Sequence, residues 1–459
     1  MASSSPRLSR ARFDPSAIET LRFVGRELDD DGSVSLRYAL DNAYEFEERF
    51  SIPVASTLTS GERDRVDGLL ALLHWVAGVS YYKAAAPAGV TCETGEPPPA
   101  ASKLLAALYS EGLGEFAYVN GLRRLPHPDF PAPAWTTAEK PERAQPNPKR
   151  VLVPVGGGKD SAVAVEIVRA SGLELELFSV GNAPAIEGTV RASGLPRLLA
   201  TRSIDPRLIE LNRVGALNGH VPITAIVSCA ALLTAALNGF DTVALANERS
   251  ASAGNTMLDG VEINHQFSKS LRAERLLAAA VAEVAPDMAI FSVLRPASEL
   301  SIARAFARLE RYHAVFTSCN RIFKLDPALR LTSWCCDCDK CRFVFLILAP
   351  FMEPDALRQI FGKAMLDDGR QYEGFALLTA TGGHKPFECV GETTEVLAAI
   401  RLLADDPRWR DQRVVRRLAS DVVPRFPADA ANPEPAFELS GEHLVPPELL
   451  AQVNALLGP

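Results

Sequence analysis

The sequence lacks the features of a membrane protein or a secreted protein. No apolar run approaches the roughly 20 residues that a helix needs to span a bilayer. The start, MASSSPRLSRARF, has no hydrophobic middle of the kind found in a secretory signal. Blocks of basic residues are also missing, because 48 Lys and Arg residues are scattered among 56 Asp and Glu residues, for a formal net charge of -8. We therefore expect a cytoplasmic protein that binds neither a membrane nor a nucleic-acid backbone.

Cysteines are scarce outside one short segment. Four of the eight lie between Cys335 and Cys341, a layout that suits disulfides poorly and a metal well. Cys335, Cys338 and Cys341 follow a C-x-x-C-x-x-C spacing, and Cys319 precedes them. Four thiolates close a tetrahedral zinc site, so we expect a structural zinc ion with Cys336 as the spare thiol. The alternative is that these cysteines pack as small apolar core residues.

The chain is long enough for two or three domains, since it has 459 residues of which 47% are apolar. We predict an α+β domain that contacts substrate over 1–125, a proline-rich linker over 126–150, an α/β domain with the cysteines over 151–350, and a helical and irregular region over 351–459. The sequence contains no internal repeat, and it does not indicate an oligomeric state.

Short apolar strands alternate with helical segments from Arg150 onward. The predicted strands are RVLVPV, ELELFSV, RLLAT, TVALAN, AIFSVL and AVFTSC. This order predicts an α/β fold in which a parallel sheet carries helices on both faces. Ligands of such sheets bind at the carboxyl ends of the strands, so polar residues after the strands are candidates for function.

A glycine cluster follows the first of these strands, in VLVPVGGGKDS. Bare backbone amides at the start of a helix bind anions such as phosphate. The pattern G-x-x-x-x-G-K-[ST] fails, because Val153 stands where its first glycine belongs and Asp160 follows Lys159. The pattern G-x-G-x-x-G fails as well, because Ser161 replaces its last glycine.

The same loop resembles the S-G-G-x-D-S loop of the PP-loop ATP pyrophosphatases, which have the adenine nucleotide α-hydrolase fold. The resemblance covers six residues, with the first serine replaced by glycine: Gly156, Gly157, Gly158, Lys159, Asp160 and Ser161. It implies that ATP is cleaved to AMP and pyrophosphate while an oxygen of the substrate is adenylated. Lys159 then offsets phosphate charge, Ser161 donates to a phosphate oxygen, and Asp160 positions Mg²⁺. The alternative is an ordinary turn between a strand and a helix.

Two further features fit the PP-loop resemblance. Asn182, after the second strand, is a candidate for reading the adenine base, although a plain loop would look the same. A cysteine arrangement similar to the one here follows the PP-loop domain in 7-cyano-7-deazaguanine synthases, which favours structural zinc. An iron–sulfur cluster, as in some tRNA-thiolating PP-loop enzymes, is the competing identity of the metal.

Two polar segments, NGHVPITAI and ANERSASAGNTMLDGVEINHQFSKSLRAE, stand beside predicted strands at the ligand edge. Polar loops in that position often carry function, although a solvated loop is the alternative. The candidate substrate-binding residues are Glu248, Arg249, Ser250, Asn255, His265, Gln266, Ser268 and Lys269. The position of His220, just before a predicted helix that starts with proline, favours a structural role for this histidine.

These segments, together with SVLRPASEL, WCCDCDKCRFVFLILAPF, GGHKPFECVGE and HWVAGVSYYKAAAP, resemble the bacterial UDP-N-acetyl-α-D-muramoyl-L-alanyl-L-glutamate epimerases, the MurL family. The resemblance covers nearly the whole chain. It implies that the terminal L-glutamate of UDP-MurNAc-L-Ala-L-Glu, a small-molecule substrate, is inverted to D-glutamate with ATP and Mg²⁺ in peptidoglycan precursor synthesis.

Epimerisation explains the need for ATP. The carbon beside an ionised carboxylate is very weakly acidic, because loss of its proton places a second negative charge next to the first. Adenylation neutralises the carboxylate and brings proton removal within reach of a side-chain base. Reprotonation from the opposite face inverts the centre, and hydrolysis then releases the product.

The inversion needs an acid/base pair, and the segment TGGHKPFECVGE contains suitable groups. His384, Lys385 and Cys389 are the candidates, although a buried structural role is the alternative for the cysteine and substrate binding for the other two. Lys83, in the N-terminal HWVAGVSYYKAAAP, is a further candidate for gripping the substrate.

Two other functions fit part of the same pattern. One is a PP-loop enzyme that modifies a tRNA base or makes a deazapurine nitrile, but the sequence lacks the basic surface that a tRNA partner requires. The other is a non-catalytic module that senses ATP or AMP, which Asp160 and the polar loops disfavour.

Overall fold

The structure is a computed structural model that describes residues 12–55, 60–130, 147–323, 329–381 and 385–458. Its strands are β1 Thr20–Leu28, β2 Ser33–Leu40, β3 Tyr44–Ser51, β4 Gly89–Cys92, β5 Arg150–Pro154, β6 Glu174–Val180, β7 Arg197–Ser203, β8 Thr242–Leu245, β9 Thr256–Leu258, β10 Val261–Ile263 and β11 Ala289–Ser292.

The helices are α1 Ser60–Ala77, α2 Val79–Tyr82, α3 Pro99–Ser110, α4 Gly114–Val119, α5 Lys159–Ala170, α6 Pro184–Ser193, α7 Pro206–Val214, α8 Ile223–Leu237, α9 Leu271–Val284, α10 Glu299–Phe306, α11 Asp339–Leu348, α12 Pro354–Phe361, α13 Tyr372–Leu377, α14 Thr393–Asp405, α15 Arg413–Arg417, α16 Glu434–Phe437 and α17 Pro447–Leu457. No helix in the described ranges is long and apolar enough to cross a membrane.

Nine strands form one mixed sheet in the order β11-β8-β5-β6-β7-β3-β2-β1-β4. The five strands from β11 to β7 are parallel, as the sequence predicts. The chain enters this half at its central strand, β5, moves outward to β6 and β7, and then returns to the other side of β5 for β8 and β11. The order of strands therefore reverses between β5 and β8, which is the point where α/β sheets bind ligands.

The N-terminal strands continue the same sheet. β1, β2 and β3 form an antiparallel meander, and β3 pairs antiparallel with β7. An ion pair between the buried Glu48 of β3 and the partly buried Arg202 of β7 joins the two parts at this seam. The domain boundaries predicted at residues 125, 150 and 350 stay predictions, because one sheet runs through the N-terminal strands and the parallel half without marking where a domain ends.

Helices cover both faces of the parallel half, and the alternation of β5 shows why. Val151 and Val153 point into a core shared with α5, α10 and α11, whereas Leu152 points into a second core shared with α1, α8 and α9. All three side chains are fully buried. A strand that is apolar at successive positions is buried on both faces, which is the pattern of a parallel sheet.

One predicted strand is wrong. The segment AVFTSC, residues 314–319, has no strand structure. Its apolar Phe316 packs against Phe306 and Trp334, with ring centroids 4.5 and 5.2 Å apart, so burial in a side-chain core produces the apolar pattern. The backbone N–H of Thr317 donates to Gly157 O at 3.0 Å, which ties the segment to the glycine cluster rather than to a sheet edge.

Candidate active site

The glycine loop, residues 156–161, lies at the carboxyl end of β5, where the strand order reverses. Gly157 has a φ of 85°, and a Cβ there would come within 2.6 Å of the Ala185 carbonyl carbon. A Cβ on Gly158 would come within 2.8 Å of Ser318 Oγ, whereas one on Gly156 would meet nothing within 4 Å. The loop thus keeps its backbone close to its neighbours and leaves the amides at the start of α5 bare of side chains.

Lys159, the first residue of α5, is fully buried and contacts two carboxylates, Asp160 and Glu299. Burial opposes its charge, but the two carboxylates together raise the pKa of Lys159 above its ordinary value. Burial likewise opposes the charge on Asp160, yet Lys159 and Lys340 hold the pKa of that carboxyl below its ordinary value. Lys159 and Asp160 are therefore both charged at neutral pH.

Glu299 connects the glycine loop to a second cluster of polar side chains. Its other carboxylate oxygen lies 3.8 Å from Lys340 Nζ, and Lys340 also donates to the backbone carbonyl of Cys389. Glu395 fixes Glu299 in turn, because Glu395 Oε1 accepts the Glu299 N–H at 2.7 Å. Burial, reinforced by the charge of Glu299, raises the pKa of Glu395 to about 7.

Cys389 carries the thiol of this second cluster. Lys269 Nζ donates to Cys389 Sγ at 3.6 Å, and the His265 side chain hydrogen-bonds to the same sulfur. Burial on its own raises the pKa of a thiol, but Lys269, His265 and Lys340 together lower the pKa of Cys389 to about 7. A thiolate is consequently well populated at neutral pH, which is a property of reactive cysteines.

His265 bridges Cys389 to Glu115. Its Nδ1 hydrogen-bonds to Glu115 Oε2, and the His220 ring lies 4.3 Å from the His265 ring. Burial lowers the pKa of a histidine, but the hydrogen bonds to Cys389 and Glu115 raise the pKa of His265 to about 9. Burial and the charge of His265 lower the pKa of His220 to about 4.

Several predicted residues position this cluster. Asn255 accepts the His265 N–H at 2.9 Å and donates to Pro386 O at 2.8 Å, so it joins the histidine segment to the Cys389 segment. The carbonyls of Glu248 and Lys269 both accept from the buried guanidinium of Arg295, a residue that the sequence did not single out.

The remaining candidates occupy different places. Gln266 is buried, and its Oε1 lies 3.5 Å from Lys269 Nζ. Lys83 is buried and donates to Asn218 Oδ1, and burial lowers its pKa to about 8. Arg249 donates to Glu438 O at 2.9 Å.

Four further candidates are Ser161, Lys385, Asn182 and His384. Ser161 Oγ donates to Gly158 O at 3.0 Å. Lys385 is buried, and burial lowers its pKa. Asn182 lies just beyond β6 at the ligand edge, while His384 falls outside the described residues.

Models of a known protein family match most of the chain. The one described as the MurL N-terminal domain matches residues 12–293, and the one described as the MurL C-terminal domain matches residues 315–432. The chain belongs to the MurL family. The resemblance read from the sequence is confirmed at this level, whereas the resemblance of the glycine loop to PP-loop enzymes stays a prediction.

Three relatives of this chain share the name UDP-N-acetyl-alpha-D-muramoyl-L-alanyl-L-glutamate epimerase. The one from Xanthomonas oryzae pv. oryzae (strain MAFF 311018) is 41% identical over 96% of this chain and 98% of its own length. The one from Micromonospora sp. (strain ATCC 39149 / NRRL 15099 / SCC 1413) is 46% identical over 91% and 93%. The one from Salinispora tropica (strain ATCC BAA-916 / DSM 44818 / JCM 13857 / NBRC 105044 / CNB-440) is 44% identical over 93% and 94%. No solved structure matches this chain.

The structure brings the four predicted cysteine ligands together. The Sγ atoms of Cys319, Cys335, Cys338 and Cys341 all lie within 4.8 Å of one another. Cys341 Sγ is 3.6 Å from Cys335 Sγ and 3.4 Å from Cys338 Sγ. Thiolates that hold zinc at about 2.3 Å in a tetrahedron stand roughly 3.8 Å apart, so the donor set fits a zinc ion. Cys336 points elsewhere, with its Sγ 3.1 Å from Phe361 O, as the spacing predicted.

The sequence did not single out several residues that connect the glycine loop, Cys389 and His265 within this site. Glu299 begins α10, seven positions after the end of β11, and Lys340 lies in the first turn of α11, so neither stands directly after a strand where a ligand-edge residue is expected. Glu115 stands in α4 with no local pattern around it. His220, for which the sequence favours a structural role, faces the Glu115 carboxylate.

Proposed function

We propose that this chain is an ATP-dependent epimerase of the cytoplasm that converts the terminal L-glutamate of UDP-MurNAc-L-Ala-L-Glu to D-glutamate. The relatives' names support the substrate and the inversion. One structural observation supports a two-part site. Glu299 contacts Lys159 of the glycine loop and lies 3.8 Å from Lys340, and Lys340 holds the peptide of Cys389.

The glycine loop is the activating part of the proposed site. The bare amides before α5 and the charge of Lys159 suit the phosphates of ATP, and the ionised Asp160 suits Mg²⁺ or its bound waters. The strand order around β5 and the similarity of the loop to PP-loop ATP pyrophosphatases support this role. Asn182, just beyond β6, is the candidate for contacting the adenosine. Bound ATP supplies the adenylyl group that neutralises the glutamate α-carboxylate, with release of pyrophosphate.

Cys389 is the proton-transferring group of the inverting part. Its sulfur accepts hydrogen bonds from Lys269 and His265, so the thiolate is stabilised and held in one direction. A thiolate is a competent base for the α-hydrogen once the neighbouring carboxylate has been neutralised. His384 and Lys385 are the candidates for the opposite face of the α-carbon and for binding the glutamate side chain. Lys83, Glu248, Arg249, Asn255 and Gln266 are the candidates for binding the rest of the substrate.

A zinc ion on the four cysteines would support both parts. Cys319 follows Thr317 and Ser318, which contact the glycine loop. Lys340 stands between two of the expected ligands, Cys338 and Cys341. The zinc would therefore fix the segment under the loop and the lysine that connects the loop to Cys389, without touching substrate itself.

The test is pyrophosphate release and glutamate chirality after incubation of the full chain with ATP, Mg²⁺ and UDP-MurNAc-L-Ala-L-Glu. We expect pyrophosphate release that depends on the muramyl dipeptide, and D-glutamate in the hydrolysed product. Asp160→Asn should lose both signals. No pyrophosphate release together with glutamate that stays in the L form would refute the proposal. Release stimulated by a tRNA or a deazapurine instead would favour the other PP-loop function.

A further inference from the structure

A second group of side chains of the types that bind metals lies beside Cys389. Its members are Glu115 of α4, His220 of the segment before α8, and His265 of the segment before α9. One ligand atom from each lies within 4.8 Å of the other two. The three residues stand far apart in the sequence, so the tertiary fold assembles this group and no local motif does.

The geometry of the group is that of ligands converging on one point. Both imidazoles direct Nδ1 at the same carboxylate oxygen, Glu115 Oε2. The His265 nitrogen hydrogen-bonds to that oxygen, whereas the His220 nitrogen stops at 3.8 Å, which is too long for a hydrogen bond. Two ring nitrogens and a carboxylate oxygen facing one another around such a gap form the donor set of a His₂Glu metal site.

We propose that Glu115, His220 and His265 bind a divalent transition-metal ion, with zinc as the representative. Zinc bonds to imidazole nitrogen and carboxylate oxygen at about 2.0–2.2 Å, so small shifts of the two rings would close the site. Two nitrogen donors suit such a metal better than Mg²⁺, which prefers oxygen ligands. The ligands of this site are different residues from the four cysteines, and its donor set differs from the oxygen ligands expected for the Mg²⁺ that accompanies ATP.

Three protein ligands leave coordination positions open for a substrate oxygen, as in catalytic zinc sites. A metal on Nδ1 of His265 leaves the other ring nitrogen to carry its hydrogen and to donate to Cys389. The ion would then polarise the glutamyl carbonyl beside the thiolate, a role that rests on the proposed function. The nearby ammonium groups of Lys83 and Lys269 oppose cation binding, and the carboxylate of Glu115 offsets part of their charge.

Metal content of the purified full chain tests the assignment. After loading with Zn²⁺ and dialysis against metal-free buffer, we expect two equivalents of zinc per chain, one on the cysteines and one here. Glu115→Gln and His220→Ala should each keep one equivalent, and Cys338→Ser should keep the equivalent on the His₂Glu group. His313→Ala is the matched control, since His313 hydrogen-bonds to Phe306 O away from the site, and it should keep two.

A wild-type chain that holds a single equivalent, or a second equivalent that survives in both Glu115→Gln and His220→Ala, would overturn the assignment. Glu115→Gln is the conservative variant if His220→Ala does not fold, and circular dichroism of each variant checks folding. Co²⁺ loading adds a spectroscopic readout, because a nitrogen and oxygen site lacks the thiolate charge-transfer bands of the cysteine site. These measurements use no nucleotide and no substrate, so their failure is distinguishable from failure of the proposed epimerase function.

Discussion

At Gly157 the glycine loop turns through a φ of 85° and lies against α6, where an added Cβ would press on the backbone of Ala185. Gly156, one position earlier, faces open space. The two adjacent glycines of this motif therefore have different structural roles. Gly156 could carry a side chain, and the PP-loop pattern has a serine at this position. Gly157 could not carry one without displacing the loop.

We accordingly predict that Gly157→Ala lowers ATP-dependent pyrophosphate release by on the order of a hundredfold, because misplacing the loop misplaces the phosphates. Gly156→Ala and Gly156→Ser should keep release close to that of the wild type. Initial rates measured with saturating muramyl dipeptide compare the three variants directly. Equal losses at both positions would show that the close approach at Gly157 does not matter.

Cys389 allows the two parts of the site to be separated. In Cys389→Ala the glycine loop is intact, so pyrophosphate release should persist, while inversion of glutamate falls by about 10²- to 10⁴-fold. Cys92→Ala, which changes a thiol on β4, is the matched control and should leave both activities unchanged. Full inversion by Cys389→Ala would remove the thiol from the mechanism.

Individual site residues were predictable where the chemistry is local to a motif. Lys159 and Asp160 follow from the glycine loop, and Cys389 stands out as a thiol away from the cysteine cluster. Glu115 and Glu299 were not predictable, because their partners, His265 and Lys159, lie about 150 and 140 positions away. Burial and long-range pairing give these two acids their importance, and neither is visible in a local pattern.

Among the elements, α11 carries the connection between metal and site. Its first turn contains Lys340, and the cysteines on either side of that lysine converge with Cys319. We predict that Cys338→Ser loses the zinc of this cluster and lowers both pyrophosphate release and inversion by about 10- to 100-fold. Cys336→Ser, at the thiol that points away, should keep the zinc and both activities. Loss of zinc with full activity would limit the cluster to a role in folding.

Helix α1 contains a buried histidine whose protonation opposes folding. His74 hydrogen-bonds to Arg37 O at 3.1 Å and is otherwise enclosed by aromatic rings such as Phe23 and Tyr38. Burial lowers the pKa of His74 to about 3 in the folded chain. In the unfolded chain its pKa is about 6.5, so the unfolded state takes up the proton first as the pH falls.

The stabilisation from neutral His74 is fully present above about pH 6.5 and is lost as the pH falls from there toward 3. We expect the free energy of unfolding to drop by about 1 kcal/mol between pH 6.5 and 5.5 because of this residue. In His74→Gln, which keeps a donor for Arg37 O, that part of the slope should vanish. Denaturant titrations of both proteins at the two pH values give the change in the free energy of unfolding with pH. The same change in the wild type and in His74→Gln would contradict the prediction.

Strands of the parallel half were predictable from short apolar runs, and β5 and β6 lie where those runs stand. The segment 314–319 looked the same but is not a strand, because its apolar residues pack into a side-chain core. Periodicity reports burial, and it does not distinguish burial on a sheet from burial beside one.

For the whole molecule, the sheet edge gathers residues from every part of the chain. Glu115 comes from the N-terminal region, the glycine loop and His265 from the parallel half, and Cys389 from the C-terminal region. The sequence singled out the segment around Cys389 by the chemistry of its side chains, but no local pattern after residue 351 shows which elements that segment packs against. The central claim that follows is that activation and inversion occur at one site.

Reaction in ²H₂O tests that claim most directly, by following pyrophosphate, glutamate chirality and deuterium at the glutamate α-carbon together. We expect each D-glutamate formed to carry solvent deuterium at the α-carbon and to be matched by one pyrophosphate. Omission of ATP should abolish both inversion and deuterium uptake. Inversion or deuterium uptake that proceeds without pyrophosphate release would contradict it.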